Sequence, residues 1–336
     1  MDKKLKVCVV GDGGWGTALG MLLLSNGHQV TMWGPFEDYL VEIRTTGENI
    51  RYLPGVKLPA ALNWTSHIEE ATAGADLVVL ATPSHFYQSV CAKFAGHIPS
   101  GADVVSVAKG FCEETRSRLT ETAAKVLGIK TVAALSGPSH AEEVSRGVPT
   151  AVVIASEDLD QARRLQEIFT GPLFRVYTSS DPVGVELGGA VKNVIALAVG
   201  MSDGLNFGDN SRAALITRGL AEMARLGSAL GGQPETFAGL SGIGDLVVTC
   251  TSRHSRNRGV GERLGRGESL ADIQAGMKQV AEGVWNCAIV VELAQAKGIE
   301  MPICEMVQAV LSGKMTARNA VSMLMCRDSK HETYGA

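Results

Sequence analysis

Short apolar runs recur through the first half of the chain, at residues 5–10, 28–33, 76–81, 103–108, 131–135, 151–155 and 174–177. Most lack strict alternation of polar and apolar positions, the pattern of strands covered on both faces. Stretches of helical period lie between most of them, at about 17–25, 85–95, 114–127, 139–146 and 158–169. Such alternation predicts an α/β domain with a mainly parallel sheet and helices on both faces. Residues 36–74 are mixed, with a loop expected around Leu53-Pro54-Gly55. From Asp181 onward the strand signal fades. Helices are predicted over 182–202, 212–227, 255–264, 270–275, 285–297, 303–311 and 316–324, separated by Gly or Pro. The expected organisation is an α/β domain over 1–180, an all-helical C-terminal domain over 181–326, and a mobile tail over 327–336.

The run from Gly184 to Met201 is almost entirely small and apolar, yet it carries Lys192 and Asn193. A Lys there either snorkels to water or faces a polar cavity with a partner. The neighbouring Asn193 and the paired Gly188 and Gly189, which admit a second backbone, favour a site.

Composition narrows the picture. Of 336 residues, 45% are hydrophobic and 20% charged, enough apolar material for a large core. A net charge of −4 leaves no footprint for nucleic acid. Seven cysteines without a CxxC argue against a disulfide framework or zinc site and for a reducing, cytoplasmic setting. The N-terminal apolar run is too short for a signal peptide. Glu186, Lys192 and Asn193 interrupt the longest apolar stretch, so no membrane insertion is expected.

The chemistry starts at Gly11-Asp12-Gly13-Gly14-Trp15-Gly16, which follows the first strand and opens a helix. In that context G-x-G-x-x-G predicts a Rossmann-like, doubly wound fold binding a dinucleotide. Gly11 makes the turn, Gly13 leaves room for pyrophosphate, and Gly16 lets helix pack on strand. The second strand ends Trp33-Gly34-Pro35-Phe36, with neither a carboxylate for the adenosine ribose nor an Arg for a 2′-phosphate. The choice between NAD and NADP stays open, and the missing carboxylate favours tolerance of NADP.

Ligands bind such sheets at the carboxyl ends of the strands. That rule gathers the glycine turn, Thr82-Pro83-Ser84, Lys109 and Gly137-Pro138-Ser139 on one rim. Ser139 and Glu142 fit a capping box. Asp245, in glycine-flanked Leu240-Ser241-Gly242-Ile243-Gly244-Asp245-Leu246, is either a cap or a charge held close to other backbone. Ser255 fits the N-cap of a helix whose start, with Arg256, is chemically a phosphate site or else a solvated basic loop. Glu282 is expected in a glycine-bounded loop. His140 and His254 have no spacing that makes a dyad. Dinucleotide chemistry implies hydride transfer, which at a secondary alcohol needs a base. Lys192 can serve if burial and a second cation such as Lys109 lower its pKa, with Asp245 opposing and orienting it.

These motifs, with Gly189-Ala190-Val191-Lys192-Asn193 and Ser255-Arg256-Asn257-Arg258, occur in order and resemble the NAD(P)-dependent sn-glycerol-3-phosphate dehydrogenases of bacterial type. The resemblance implies interconversion of dihydroxyacetone phosphate and sn-glycerol 3-phosphate with NADH or NADPH and no metal, supplying phospholipid synthesis. It also implies a phosphorylated small-molecule substrate and a homodimer. It places the proton acceptor on Lys192, and substrate contacts on Lys109, Gly137, Ser139, Lys192, Asp245, Ser255, Arg256 and Asn257. Cofactor contacts fall on Gly14, Trp15, Lys109, Ala141, Arg256, Val280 and Glu282, beside Gly11, Gly13 and Gly16 of the turn. This chain departs from the pattern at Pro35, where a basic residue is frequent, at His140, where Phe is common, and at Cys287, where Thr is common. Two other readings remain: a related Lys-Asn 3-hydroxyacid dehydrogenase, which has less need of a phosphate cradle at Ser255–Asn257, and a non-catalytic nucleotide sensor, which has no use for a proton relay.

Overall fold

The computed structural model describes residues 4–277, 281–328 and 332. Its first half alternates β1 (Lys6–Val10), α1 (Gly14–Ser25), β2 (Gln29–Trp33), α2 (Glu37–Thr46), β3 (Asn63–Thr65), α3 (Ile68–Thr72), β4 (Leu77–Leu80) and α4 (Tyr87–Phe94). It continues through β5 (Asp103–Ser106), α5 (Leu119–Leu127), β6 (Ala133–Ser136), α6 (Ala141–Val144), β7 (Thr150–Ala155), α7 (Leu159–Phe169) and β8 (Phe174–Ser179). The strands form one sheet in the order β3-β2-β1-β4-β5-β6-β7-β8. Among the described strands only the β6–β7 pair is antiparallel. Between β6 and β7 stands only the single turn α6, too little for the crossover a parallel return requires.

Side chains alternate between the two sheet faces. Val7, Val9, Val30, Met32, Leu77 and Val79 pack with α1, α2 and α7. Cys8, Val10, Val78, Leu80 and Val104 pack with α4 and α5. Both faces are therefore buried, which is why the strands read as continuous apolar runs. Within the mixed stretch 36–74, β3 and the helices α2 and α3 went unpredicted. β3 is only Asn-Trp-Thr and pairs on the edge beside β2. The pattern of α2 is legible after the fact: Tyr39, Leu40 and Ile43 face the core, and Gly47 ends the helix with φ 67°.

The second half is helical: α8 (Pro182–Gly204), α9 (Asp209–Ala229), α10 (Pro234–Phe237), a π-turn over Leu240–Gly244, α11 (Asp245–Thr251), α12 (Arg256–Gly265), α13 (Leu270–Ala275), α14 (Glu282–Ala296), α15 (Pro302–Leu311) and α16 (Ala317–Met325). Helix α8 is its axis. Asp181 caps it, accepting from Gly184 N at 2.8 Å, and Pro182 supplies the preset φ of a first turn. A helix of 23 residues this apolar would cross a bilayer by length and composition alone, but α8 is enclosed by protein instead. Glycines permit that enclosure. A Cβ on Gly200 would lie 2.0 Å from the Arg258 carbonyl oxygen, and one on Gly261 would lie 2.1 Å from that of Leu197, so α8 and α12 cross at backbone contact. Glu186 ties α8 to the sheet domain, accepting from Arg118 at 2.6 Å and from Thr120 N and Oγ1 at 3.0 and 2.6 Å. The tail expected at 327–336 lies largely outside the described residues.

Candidate active site

Strand order reverses between β1 and β4, and the crevice beyond their carboxyl ends is where doubly wound sheets take ligands. Gly11 turns the chain there with φ 125°, its N–H donating to Trp33 O at 2.9 Å. A Cβ on Gly14 would lie 2.4 Å from Tyr52 O, and one on Gly16 would lie 2.8 Å from Gly11 O. Those glycines are demanded by packing. A Cβ on Gly13 would meet nothing within 4 Å. Gly13 therefore faces open space, and no side chain caps the helix it begins. Uncapped first-turn N–H groups form an anion site. Ala141 stands beside Gly14, 3.7 Å from the site of its absent Cβ. The buried indole N–H of Trp15 has no acceptor among the described residues. These features fit a pyrophosphate-bearing nucleotide.

The lysines converge on one carboxylate. Lys192 is buried on α8 and donates to Asp245 Oδ1 and to Thr249 Oγ1, the latter at 2.7 Å. Lys109, just past β5, donates to Asp245 Oδ2 at 2.7 Å and to Gly137 O at 2.9 Å. It reaches there because Gly189 has no side chain: a Cβ would sit 3.4 Å from Lys109 Cγ and 2.8 Å from Ser136 Oγ. Gly188 likewise seats α8 on Ser241 O, where a Cβ would lie at 2.3 Å. The π-turn so anchored delivers Asp245 to the start of α11. Burial lowers the Lys192 pKa to about 7 against the pull of Asp245, with Lys109 adding to the fall. Burial also acts to raise the Asp245 pKa, but the two ammonium groups outweigh it and hold the carboxyl below its usual range. Each ammonium has three donors, and protein groups take two of each. Among the described residues one N–H of each lysine has no acceptor. Lys192 does not snorkel.

Around this centre, Asn257 joins three helices. It donates to Asn193 Oδ1 at 2.9 Å and accepts from Gly283 N at 2.8 Å. Its side chain is thereby used, while its main-chain N–H lies in the first turn of α12. Ser255 caps α12, accepting from Arg258 N at 3.2 Å, as its position predicted. Arg256 is the exposed first residue of that helix. Glu282 is not in a loop. It starts α14 and accepts from Ser84 N at 3.3 Å and from the Ser84 hydroxyl, joining the end of β4 to the helical domain. Nor do Ser139 and Glu142 make a capping box. His140 is the cap residue of α6, and Ser139 Oγ instead donates to Gly137 O at 2.9 Å, because the chain is still extended at 140. His140 and His254 have ring centroids 5.8 Å apart. Burial lowers the His140 pKa and the charge on Lys192 lowers it further. Val280 lies outside the described residues. Among the described residues no three His, Cys, Asp or Glu side chains could hold a metal ion.

Ser84 lies on the rim the strand-end rule predicted, whereas Thr249 was missed as a site residue. Thr249 follows Asp245 by four residues on α11, one helical turn, so recognising that helix would have found it. The β-branched run Val247-Val248-Thr249 obscured it.

Residues 6–162 match the family model for the NAD-dependent glycerol-3-phosphate dehydrogenase N-terminus, and residues 181–322 match that for the C-terminus. The chain belongs to the NAD-dependent glycerol-3-phosphate dehydrogenase family. Among its relatives in that family, the glycerol-3-phosphate dehydrogenase [NAD(P)+] of Moorella thermoacetica is 50% identical over 329 residues, 98% of each chain. That of Geobacter metallireducens is 50% identical over 330 residues, covering 97% of this chain and 98% of its own. The crystal structure of glycerol-3-phosphate dehydrogenase from Coxiella burnetii superposes with a TM-score of 0.93 at 40% identity, covering 96% of this chain and 99% of that one.

Proposed function

We propose that this NAD(P)-dependent oxidoreductase interconverts dihydroxyacetone phosphate and sn-glycerol 3-phosphate, with Lys192 as the group that moves the proton. The observation that carries the reading is Asp245 shared by two lysines at the rim of a dinucleotide crevice. A bound nicotinamide supplies the hydride in reduction and takes it in oxidation. Lys192, with a pKa near 7, gives its remaining proton to the carbonyl oxygen in reduction and recovers it from the hydroxyl in oxidation. Asp245 and Thr249 aim that ammonium. The free N–H of Lys109 sits where it orients the same oxygen or its neighbour. Arg256 and the main-chain N–H groups at the head of α12 suit the phosphate. Gly137 and Ser139 shape the floor on which Lys109 rests. Gly11, Gly13, Gly14, Trp15, Gly16 and Ala141 suit the pyrophosphate and nicotinamide side, with Glu282 placed against Ser84 at the crevice edge.

The break between Ser179 and Pro182 supports a division into a cofactor domain over 1–180 and a substrate domain over 181–326. Seven free cysteines, six of them buried, support a cytoplasmic setting. A homodimer is proposed from the prevalence of two-fold homo-oligomers, and a role in supplying glycerol 3-phosphate for phospholipid synthesis from the product itself. The test is direct. Folded protein mixed with dihydroxyacetone phosphate and NADH or NADPH should consume the absorbance of the reduced nicotinamide. No consumption with either cofactor sinks the reading. Turnover of a 3-hydroxy acid in preference would move it to the related dehydrogenases.

A further inference from the structure

The tip of β2 carries no carboxylate, but one reaches it from elsewhere. Asp12 lies inside the glycine turn, between Gly11, at φ 125°, and the open Gly13. Its side chain folds onto Gly34, the first residue after β2. A Cβ on Gly34 would lie 2.9 Å from Asp12 Oδ2 and 3.0 Å from Asp12 Cβ, so the carboxyl fills the space a residue-34 side chain would occupy. The turn is locked in this pose. Asn49 Nδ2 donates to Asp12 O at 2.8 Å and to Thr17 Oγ1 at 2.8 Å, and Asn49 is itself held by the Tyr39 hydroxyl.

Asp12 Oδ2 is buried and has no hydrogen-bond partner among the described residues. A buried carboxylate oxygen without a donor is rare in folded proteins and points to a donor from outside the chain. Burial raises the Asp12 pKa, with its own backbone N–H and then the Arg51 charge acting against the rise. The Arg51 guanidinium is engaged by Glu42 at 3.1 Å and lies 4.0 Å over the Tyr39 ring. In dinucleotide folds the adenosine ribose sits at this strand tip, where a carboxylate accepts from its hydroxyls.

We propose that Asp12 sets the cofactor choice of this chain, its carboxylate accepting from the adenosine ribose hydroxyls of NAD(H) and repelling the 2′-phosphate of NADP(H). The proposal rests on the dinucleotide reading given above. It reverses the tolerance of NADP suggested by the bare strand tip, because the missing charge is delivered across space from the turn. Gly34 is part of the device: any larger residue there would displace the carboxyl.

Titration calorimetry of NADH and NADPH into the wild-type chain, Asp12→Asn and Asp12→Ala tests this without turnover. Wild type should bind NADH at least roughly tenfold more tightly than NADPH, since like charges brought together disfavour the phosphorylated form. In Asp12→Asn and Asp12→Ala that ratio should fall by about tenfold or more, with NADH weakened by loss of a charge-assisted acceptor and NADPH strengthened. Two variants guard against one misfolding, and NADH binding by either shows an intact crevice. Equal or tighter binding of NADPH by wild type overturns the inference, as does an unchanged ratio in both variants. Wild-type protein that binds neither nucleotide overturns the proposed function as well, so the two failures are distinguishable.

Discussion

Asp245→Asn isolates the charge that ties the two lysines together. The substitution keeps the shape and one acceptor oxygen but removes the negative charge from between Lys192 and Lys109. Lys192 then keeps the burial that lowers its pKa and the repulsion of Lys109, and loses the partner that raises it. An opposite charge within about 4–6 Å is worth roughly 1–3 pKa units. The expected pKa of Lys192 therefore falls from about 7 by roughly that amount. The sign follows from the chemistry. Reduction needs the ammonium, so kcat/KM for dihydroxyacetone phosphate falls as pH rises through the Lys192 pKa. Oxidation needs the free amine, so kcat/KM for glycerol 3-phosphate rises through the same value. In the variant both limbs should move to lower pH by about 1–3 units, and reduction at neutral pH should slow by about tenfold for each unit. Substrate phosphate ionisation is common to both enzymes and cancels in the comparison. Profiles of kcat/KM in both directions are the assay, because they report the essential groups of the free enzyme. A reduction limb that stays in place, or moves to higher pH, would refute the assignment of Lys192 and of its coupling to Asp245.

Lys192→Ala should lower turnover by at least roughly a hundredfold, the lower end for a general acid–base group; near-wild-type turnover would place the proton relay elsewhere. Arg256→Ala should mainly raise the substrate KM, by about ten- to a hundredfold for a lost charge-assisted contact, and unchanged KM and turnover would remove it from the phosphate site. Gly13→Ala should leave the melting temperature nearly unchanged while weakening nucleotide binding, since its Cβ meets only open space. Gly14→Ala should lower the melting temperature, because its Cβ would lie 2.4 Å from Tyr52 O; equal melting behaviour in the two variants would contradict the packing argument.

The sequence by itself determined most of the architecture. Strands buried on both faces must be apolar throughout, so β1, β4 and β5 were legible, and the G-x-G-x-x-G after β1 placed the crevice. The helical second half, the cap at Ser255 and the anomaly of Lys192 were equally plain, because each is a local property of residue type and spacing. Three-residue β3 carries too little pattern to see. The reversal of β7 depends on how far α6 can reach, and the π-turn before Asp245 depends on Gly188 seating α8 against Ser241. Only tertiary structure decided the partners. Lys109, Lys192 and Asp245 are separated in the chain by as many as 136 positions, and nothing local makes them meet. The same holds for Ser84 with Glu282 and for Asp12 with Gly34. Ion pairs and close approaches are set by packing over distance, where a missing side chain on one element decides which charge another can reach.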